Sequence, residues 1–426
     1  MEVFGGKKPF SRLAALNFSS NIPDFDCKIC LASRKNGIFT HSKPSTATSL
    51  INNWAWRRRE IDINHPFYCW KSPLSGGLVC YVYQAEYMEN SPALTHLKIF
   101  VSFACNLKCP HCVHGQFPSA PVPPYDAAYL EKIERFLGEA LEVNPGVHIY
   151  LSGGEPLLSR RFFQIAQLIR HSGLGYKTIT NGLLLADRLD SILEAPPHSL
   201  WVTFNGLGDC HDAMVGRKGA FARLSNALKH ALPVLRSRQI KIGAVLMINR
   251  STFGRLSADL DALQEFGFDE VVVQHLSFLP ESFLSLHRDA YLRVFGRPSG
   301  FCFGEGADGS AIEPELLFRE IQSIRQKKFP FRVVIFPRLI EKEDLMDYYS
   351  DDPRKWLDKR CSRASGEFWI LPDGSVTVCF AHKIGDTGDS LRQLLRSRQF
   401  ACWQAQFRKL AQPLPGCARC HRLYMN

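Results

Sequence analysis

The sequence predicts an α/β fold: a partial (β/α)6 barrel with an N-terminal extension before it and a small cysteine-bearing domain after it. Three observations predict this. Short apolar runs alternate with helix-period segments from about residue 96 onward. A cysteine-rich loop directly follows the first of those runs. Near the C-terminus, an Asp373-Gly374 turn signal between apolar runs is bracketed by cysteines. Strands and helices alternating at this length favour parallel strands with helices packed outside them.

The strands are read in order as LKIFVSF, VHIYLSG, YKTITNG, SLWVTFNG, IKIGAVLMIN and DEVVVQHLSF. Each is short and rich in apolar residues. Between them, DAAYLEKIERFLGEAL places Tyr129, Ile133, Phe136 and Leu137 at helical spacing, and RRFFQIAQLIRHSG is a helix ended by Gly173. GAFARLSNALKHALPVLRSR and RLSADLDALQEFG are further helices. Six strands suit a partial barrel, in which chemistry sits on loops at the C-terminal strand ends. The barrel is placed at 96–345, with 280–312 as an insertion or cap. A helix (PELLFREIQSIRQKK) and a strand (FRVVIFP) close it, and the cysteine-bearing domain is placed at 353–426, with one helix through DSLRQLLRSRQFACWQAQF. Residues 1–95 form an extension with two strand-like runs, FYCW and GGLVCYVYQAEYM.

The 426 residues suffice for two or three domains, and 45% hydrophobic with 22% charged residues is ordinary for a globular protein. No apolar run is long enough for a membrane span. The N-terminus carries no secretory pattern, so a cytoplasmic location and no membrane partner are expected. The formal charge of +11 is spread along the chain rather than concentrated in a basic run, which makes nucleic acid an unlikely partner. Fourteen cysteines in a long chain without a signal peptide point to metal rather than to a disulfide scaffold.

Cys105, Cys109 and Cys112 have the spacing C-x₃-C-x₂-C on the loop after the first barrel strand. Three thiolates there can cap three irons of a cubane and leave the fourth iron open. Zinc is the rival, with His111 or His114 as a further ligand. CNLKCPHC resembles the signature of the radical S-adenosylmethionine (radical SAM) superfamily. LSGGEPLL, after the second strand, is similar to that family's GGEP motif, through Gly153, Gly154, Glu155 and Pro156. The resemblance implies a [4Fe–4S] cluster whose open iron chelates S-adenosylmethionine, and reductive cleavage to a 5′-deoxyadenosyl radical that abstracts a substrate hydrogen. A flavodoxin- or ferredoxin-type protein would be the reductant. The resemblance also assigns the cofactor site. His111 stands where the family usually has an aromatic residue near adenine. The GGEP segment meets the methionine amino group. Thr180, Asn181, Thr203 and Asn205 resemble the polar positions for carboxylate and ribose, and Ala244, Val245 and His275 lie near adenine.

Cys361, Cys379, Cys417 and Cys420, with the hairpin between the first two and a helix before the C-x₂-C, resemble the twitch domain, a shortened SPASM extension. Four thiolates can hold zinc or a second [4Fe–4S] cluster, and the resemblance implies one auxiliary cluster closed by all four. Cys402, inside the helix, reads as structural. Cys210 and Cys302 belong to neither group. Each is a candidate thiol for returning a hydrogen atom to a substrate radical, or else an inert cysteine. His211, Asp212, Arg217 and Phe221 read as a helix-start turn, with substrate contact as the alternative. Cys27, Cys30, Cys69 and Cys80 form a zinc site only as a secondary reading of an extension that otherwise caps the substrate.

The expected function is a radical SAM enzyme that modifies a ribosomal peptide or related natural product. The alternative is a dehydrogenase or epimerase of a small sugar or aminocyclitol. A zinc-stabilised nucleic-acid-binding protein is the reading from another class.

Overall fold

The computed structural model describes residues 94–114, 127–299, 311–352, 361, 366–379, 382–410 and 412–421, and the backbone of 67–71, 78–82, 115–116 and 304–305. Cys27, Cys30 and Cys302, and the side chains of Cys69 and Cys80, lie outside the described residues. The two strand-like runs of the extension form an antiparallel pair, β1 (Phe67–Lys71) and β2 (Leu78–Val82), with Phe67 opposite Val82.

The predicted alternation is present. It runs β3 (His96–Phe100), α1 (Ala127–Val143), β4 (His148–Ser152), α2 (Arg160–His171), β5 (Tyr176–Thr180), α3 (Leu189–Glu194), β6 (Ser199–Phe204), α4 (Asp209–Val215), α5 (Ala220–Ser237), β7 (Lys241–Met247), α6 (Leu256–Leu263) and β8 (Glu270–Gln274). All six strands are parallel and adjacent in chain order. After them come β9 (Phe278–Leu279), α7 (Glu281–Phe295), β10 (Gly304–Glu305), α8 (Pro314–Gln326), β11 (Arg332–Phe336), α9 (Lys342–Tyr348), β12 (Glu367–Ile370), β13 (Ser375–Val378), β14 (His382–Asp386), α10 (Leu391–Arg396) and α11 (Arg398–Lys409).

The six strands are the centre of a larger sheet. Its order is β11-β8-β7-β6-β5-β4-β3-β12-β13-β14. β11 adds parallel to β8, and β12 adds parallel to β3 on the other side. The sheet is therefore open and runs unbroken from the barrel strands into the cysteine-bearing region.

Residues two apart on a strand share a face. Leu97, Ile99, Ile149, Leu151, Leu200, Val202, Ile242, Ala244 and Leu246 are buried in the outer layer with helix residues such as Ile133, Phe136, Ile165 and Leu228. The opposite face carries rings and charges. The His96 and His148 rings lie 5.0 Å apart. Lys98 Nζ sits 4.8 Å from the Phe100 ring, 4.7 Å from Tyr150 and 5.4 Å from Trp369. Lys177 Nζ lies 4.1 Å over Trp201.

The C-terminal region is tied to the barrel. The expected hairpin forms from β12 and β13, but its turn spans Leu371 to Gly374 and not two residues. Gly374 takes φ 87°, which closes a four-residue connection cheaply only without a Cβ. Arg161, buried on α2, donates to the Pro372 carbonyl at 2.9 Å with its guanidinium 4.4 Å over Tyr129 of α1. Arg135 of α1 donates to the carbonyls of Thr387 and Gly388 at 2.8 and 2.9 Å.

Within the segment 280–312, helix α7 packs on the C-terminal region. Tyr291 pairs with His382 at 2.7 Å, and Gly416 N donates to His287 Nδ1 at 3.1 Å. The single helix expected through 389–407 is two, because Ser397 leaves the helical conformation (ψ 144°) and caps α11 by accepting from Phe400 N. No helix among the described residues is long and apolar enough to cross a membrane.

Candidate active site

The cysteine loop leaves β3 at the C-terminal end of the sheet, the end where parallel α/β sheets gather chemistry. Ser102 begins it, and its hydroxyl accepts from Ala104 N at 3.0 Å. The GGEP segment leaves β4 beside it. Gly154 N donates to Ser102 O at 2.8 Å, and Glu155 N donates to Ala104 O at 2.9 Å. A Cβ on Gly153 would lie 2.7 Å from Ser102 O, and one on Gly154 would lie 2.4 Å from both Phe103 O and Ala104 O. These glycines are thus required by the cysteine loop itself, whose backbone they touch.

The three thiols are within electrostatic reach of one another. Burial raises the Cys109 thiol to about 12, with Cys112 and then Cys105 adding to it. Burial also raises Cys105, which remains the exposed member of the three. His114 is turned away from a ligand role. It packs edge-on to Phe100, with ring centroids 5.3 Å apart, and bonds the Gly153 backbone. His111 is half-buried on the loop between Cys109 and Cys112.

Glu155 is fully buried, and burial raises its carboxyl to about 7. It accepts from Leu157 N at 3.0 Å, Thr180 Oγ1 at 2.6 Å and Asn181 N at 2.8 Å. Its oxygens hold the end of β5 in place. Thr180 faces the outer layer, where its hydroxyl donates to Glu155 and accepts from Gly182 N at 3.0 Å. The next residue, Asn181, faces the cysteine loop and donates to Asn106 Oδ1 at 2.7 Å. A one-residue step along a strand reverses the face, so Asn181 reaches the site and Thr180 supports it.

On β6 and β7, Thr203 and Val245 pair in register. Asn205 is buried, and its Oδ1 has no partner among the described residues. Ala244 pairs with Val202 and is wholly buried in the outer layer, on the face opposite Val245. His275 is buried at the exit of β8, with Nδ1 2.7 Å from the Tyr349 hydroxyl, on the side of the C-terminal region. For Thr180, Ala244 and His275 the described contacts are thus to the outer layer or the C-terminal region and not to the cysteine loop.

The helix-start turn after β6 buttresses the site. Asp212 accepts from Phe221 N at 2.8 Å and from Gly219 N, which fixes the 212–221 turn. From that turn Val215 O accepts from Lys108 N at 3.0 Å, and Arg217 Nη1 donates to Asn106 O at 3.3 Å. His211 is buried, and its Nδ1 accepts from Asn205 N at 3.3 Å. Asn106 is the residue that sequence reasoning missed, since it joins the cysteine loop to both Asn181 and Arg217. Only its place beside Cys105 pointed to it. Cys210, at the start of α4, is half-buried and lies 3.7 Å from Arg255 Nη1.

Cys361, Cys379 and Cys420 lie within electrostatic reach of Cys417. Burial raises the Cys417 thiol, with Cys420, Cys379 and Cys361 adding to it in that order. Cys379 holds φ 54°, a conformation uncommon for a residue with a Cβ. Cys402 is half-buried. Among the described residues, no three His, Cys, Asp or Glu side chains converge tightly enough to hold one metal ion.

Residues 99–254 match the family model of the radical SAM superfamily. An AdoMet-dependent heme synthase of Methanosarcina barkeri is 27% identical over 45% of this chain and 52% of its own length. A pre-heme d1 synthase of Dinoroseobacter shibae is 30% identical over 41% of each. The chain thus spans about half the length of the curated relatives it matches. Streptococcus suis SuiB, solved with its precursor peptide SuiA, superposes with a TM-score of 0.51 at 14% identity, over 80% of this chain and 73% of that one. At that identity the likeness is one of fold. The superfamily implies a [4Fe–4S] cluster and S-adenosylmethionine, and the residues here fit both. Three thiols share one loop, the GGEP backbone lies against that loop, and the buried Asn205 Oδ1 has an acceptor to offer.

Proposed function

We propose, for a radical SAM enzyme whose domain spans residues 99–254, that Cys105, Cys109 and Cys112 hold the cluster, and that S-adenosylmethionine binds over the ends of β4 to β7. The observation that carries this is the pairing of Gly154 N and Glu155 N with the cysteine-loop carbonyls. It puts the two motifs edge to edge. Bound together and reduced, the cluster and S-adenosylmethionine supply a 5′-deoxyadenosyl radical for hydrogen abstraction from substrate.

The chain's own residues prepare that site. Glu155 orders the end of β5 through Thr180 and Asn181, so the Asn181 amide sits beside Cys105, 3.9 Å from its sulfur. Asn205 presents a buried acceptor to the ribose side, and Val245 lines the adenine side opposite Thr203. Arg217 and Val215 brace the loop from behind. A neutral His211 supports the Asn205 backbone, since burial lowers its imidazole to about 4.

In this reading Cys361, Cys379, Cys417 and Cys420 hold a second, closed [4Fe–4S] cluster in a twitch-like region. A cubane takes its thiolates from separate corners and so tolerates a wider arrangement than a single zinc ion. This region is pinned to α1, α2 and β3, which sets it at a constant position relative to the barrel. The substrate is a ribosomal peptide or related natural product, modified by oxidation, coupling or epimerisation. A tetrapyrrole substrate is the second reading, favoured by the names of the relatives at 27% and 30% identity.

Anaerobically purified protein should carry about eight irons and eight sulfides per chain. With dithionite it should release 5′-deoxyadenosine from S-adenosylmethionine. Joint replacement C105A, C109A and C112A should remove about half the iron and all of that release. A triple variant that still makes 5′-deoxyadenosine sinks the assignment. Turnover of a tetrapyrrole, with none of a peptide, would favour the second reading.

A further inference from the structure

Between Cys417 and Cys420 stands Arg419, and its side chain is completely buried. Its Nε donates to Tyr348 O at 2.5 Å, Nη1 to Phe278 O at 3.4 Å, and Nη2 to Ser350 O. The guanidinium lies 3.9 Å over the Phe278 ring and 5.7 Å from that of Tyr348. Phe278 opens β9, Tyr348 ends α9, and Ser350 follows it. Neighbouring bonds converge on the same place. His421 Nε2 meets His275 O at 2.8 Å, and the Tyr348 hydroxyl donates to Leu276 O at 2.7 Å. Burial raises the Tyr348 phenol, Arg419 opposes this, and Cys420 adds to it, so ring, guanidinium and thiol share one neighbourhood.

A guanidinium keeps its charge at any pH a protein meets. Burying that charge is costly, and carbonyl dipoles and ring faces solvate it without cancelling it. A cubane on four thiolates is anionic and gains a further negative charge on reduction. A cation next to Cys420 and two residues from Cys417 favours the reduced form of a cluster held there.

We propose that Arg419 is a positioning residue whose guanidinium pins the Cys417–Cys420 arm to the exit of β8 and raises the reduction potential of the cluster those cysteines would hold. The inference rests on the second-cluster reading above. One charge at about 10 Å, through an effective dielectric near 20, changes the ratio of reduced to oxidised cluster by on the order of tenfold. For one electron that is about 59 mV.

The test uses the full chain carrying C105A, C109A and C112A, so that only the second cluster remains. Dithionite with mediators supplies the electron, and electron paramagnetic resonance reads the reduced cluster. R419Q should lower the midpoint by about 59 mV or more, while R419K, which keeps the charge, should stay near the parent. Loss of the cluster from R419Q alone, with R419K at the parent midpoint, also supports the proposal. An intact cluster with an unchanged midpoint in R419Q overturns it, as does an equal shift in both variants or loss of the cluster from both. A parent that binds no iron at all overturns the second-cluster reading instead.

Discussion

Gly154→Ala puts one methyl group against the cysteine loop. Its Cβ would lie 2.4 Å from Phe103 O and Ala104 O, both backbone atoms. Ordinary contact needs about 1 Å more, so the loop must move away. That displacement stretches the bonds from Gly154 N and Glu155 N, now 2.8 and 2.9 Å, past the useful limit. Overpacking costs about 1–3 kcal/mol and each of the two lost bonds about 0.5–1.5 kcal/mol, which together give about 4 kcal/mol. Gly138→Ala is the matched control. It lies inside α1 with no atom within 4 Å of its would-be Cβ. There the change should stabilise by about 0.5–1 kcal/mol. Urea unfolding, iron content and 5′-deoxyadenosine release read the pair. Gly154→Ala should lose stability together with the first cluster's iron, while Gly138→Ala keeps both. A Gly154→Ala protein with parental midpoint and iron would refute the claim that contact between the two motifs builds the site.

Acidification should weaken the fold. Burial lowers His275 and His382 to about 3, and His211 and His287 to about 4. An unfolded chain binds those protons near pH 6.5, so the stability is complete above that value and is lost as pH falls toward 3–4. Each group contributes up to about 1.4 kcal/mol per pH unit in that window. The raised Glu155 and Asp259 carboxyls act the other way, but these two are outnumbered by the lowered histidines, which also include His114 and His198. A urea midpoint that rises between pH 7 and pH 5 would contradict this. Arg161→Met removes a charged bond to Pro372 O and should cost about 1.5–3 kcal/mol in thermal or urea unfolding; no loss would show that the tie between α2 and the hairpin is idle. Asp212→Ala should cost about 1 kcal/mol, as loss of a cap does. It should also lower the first cluster's occupancy while sparing the second, and equal loss of both in iron and spectroscopic assays would refute the buttress.

The barrel strands were legible because each is a short apolar run between helix-period segments, and the cysteine spacings because they are local. What stayed hidden depends on contacts between distant residues. Nothing in Glu367–Ile370 announces parallel pairing with His96–Phe100. Face parity separated Thr180 from Asn181, and without a strand register the two looked equivalent. The same parity sets Ala244 on the face opposite Val245. Nothing in the C-x₂-C spacing marks Arg419, since its acceptors are carbonyls of residues 278, 348 and 350. Ser397 was a cap signal overlooked inside an apolar-periodic run.

The junction of β3 with β12 also dictates an order of events during synthesis. Thr95 and Gly366, bonded at this seam, are 271 positions apart. At about 5–20 residues per second, a ribosome needs tens of seconds to make that stretch. Throughout that interval the outer edge of β3 lacks its native neighbour, and unpaired edges invite association with other chains. β12 therefore acts as a closing strand. A nascent chain stalled before residue 367 should be the aggregation-prone species, and holding it soluble until β12 emerges is a task for a chaperone.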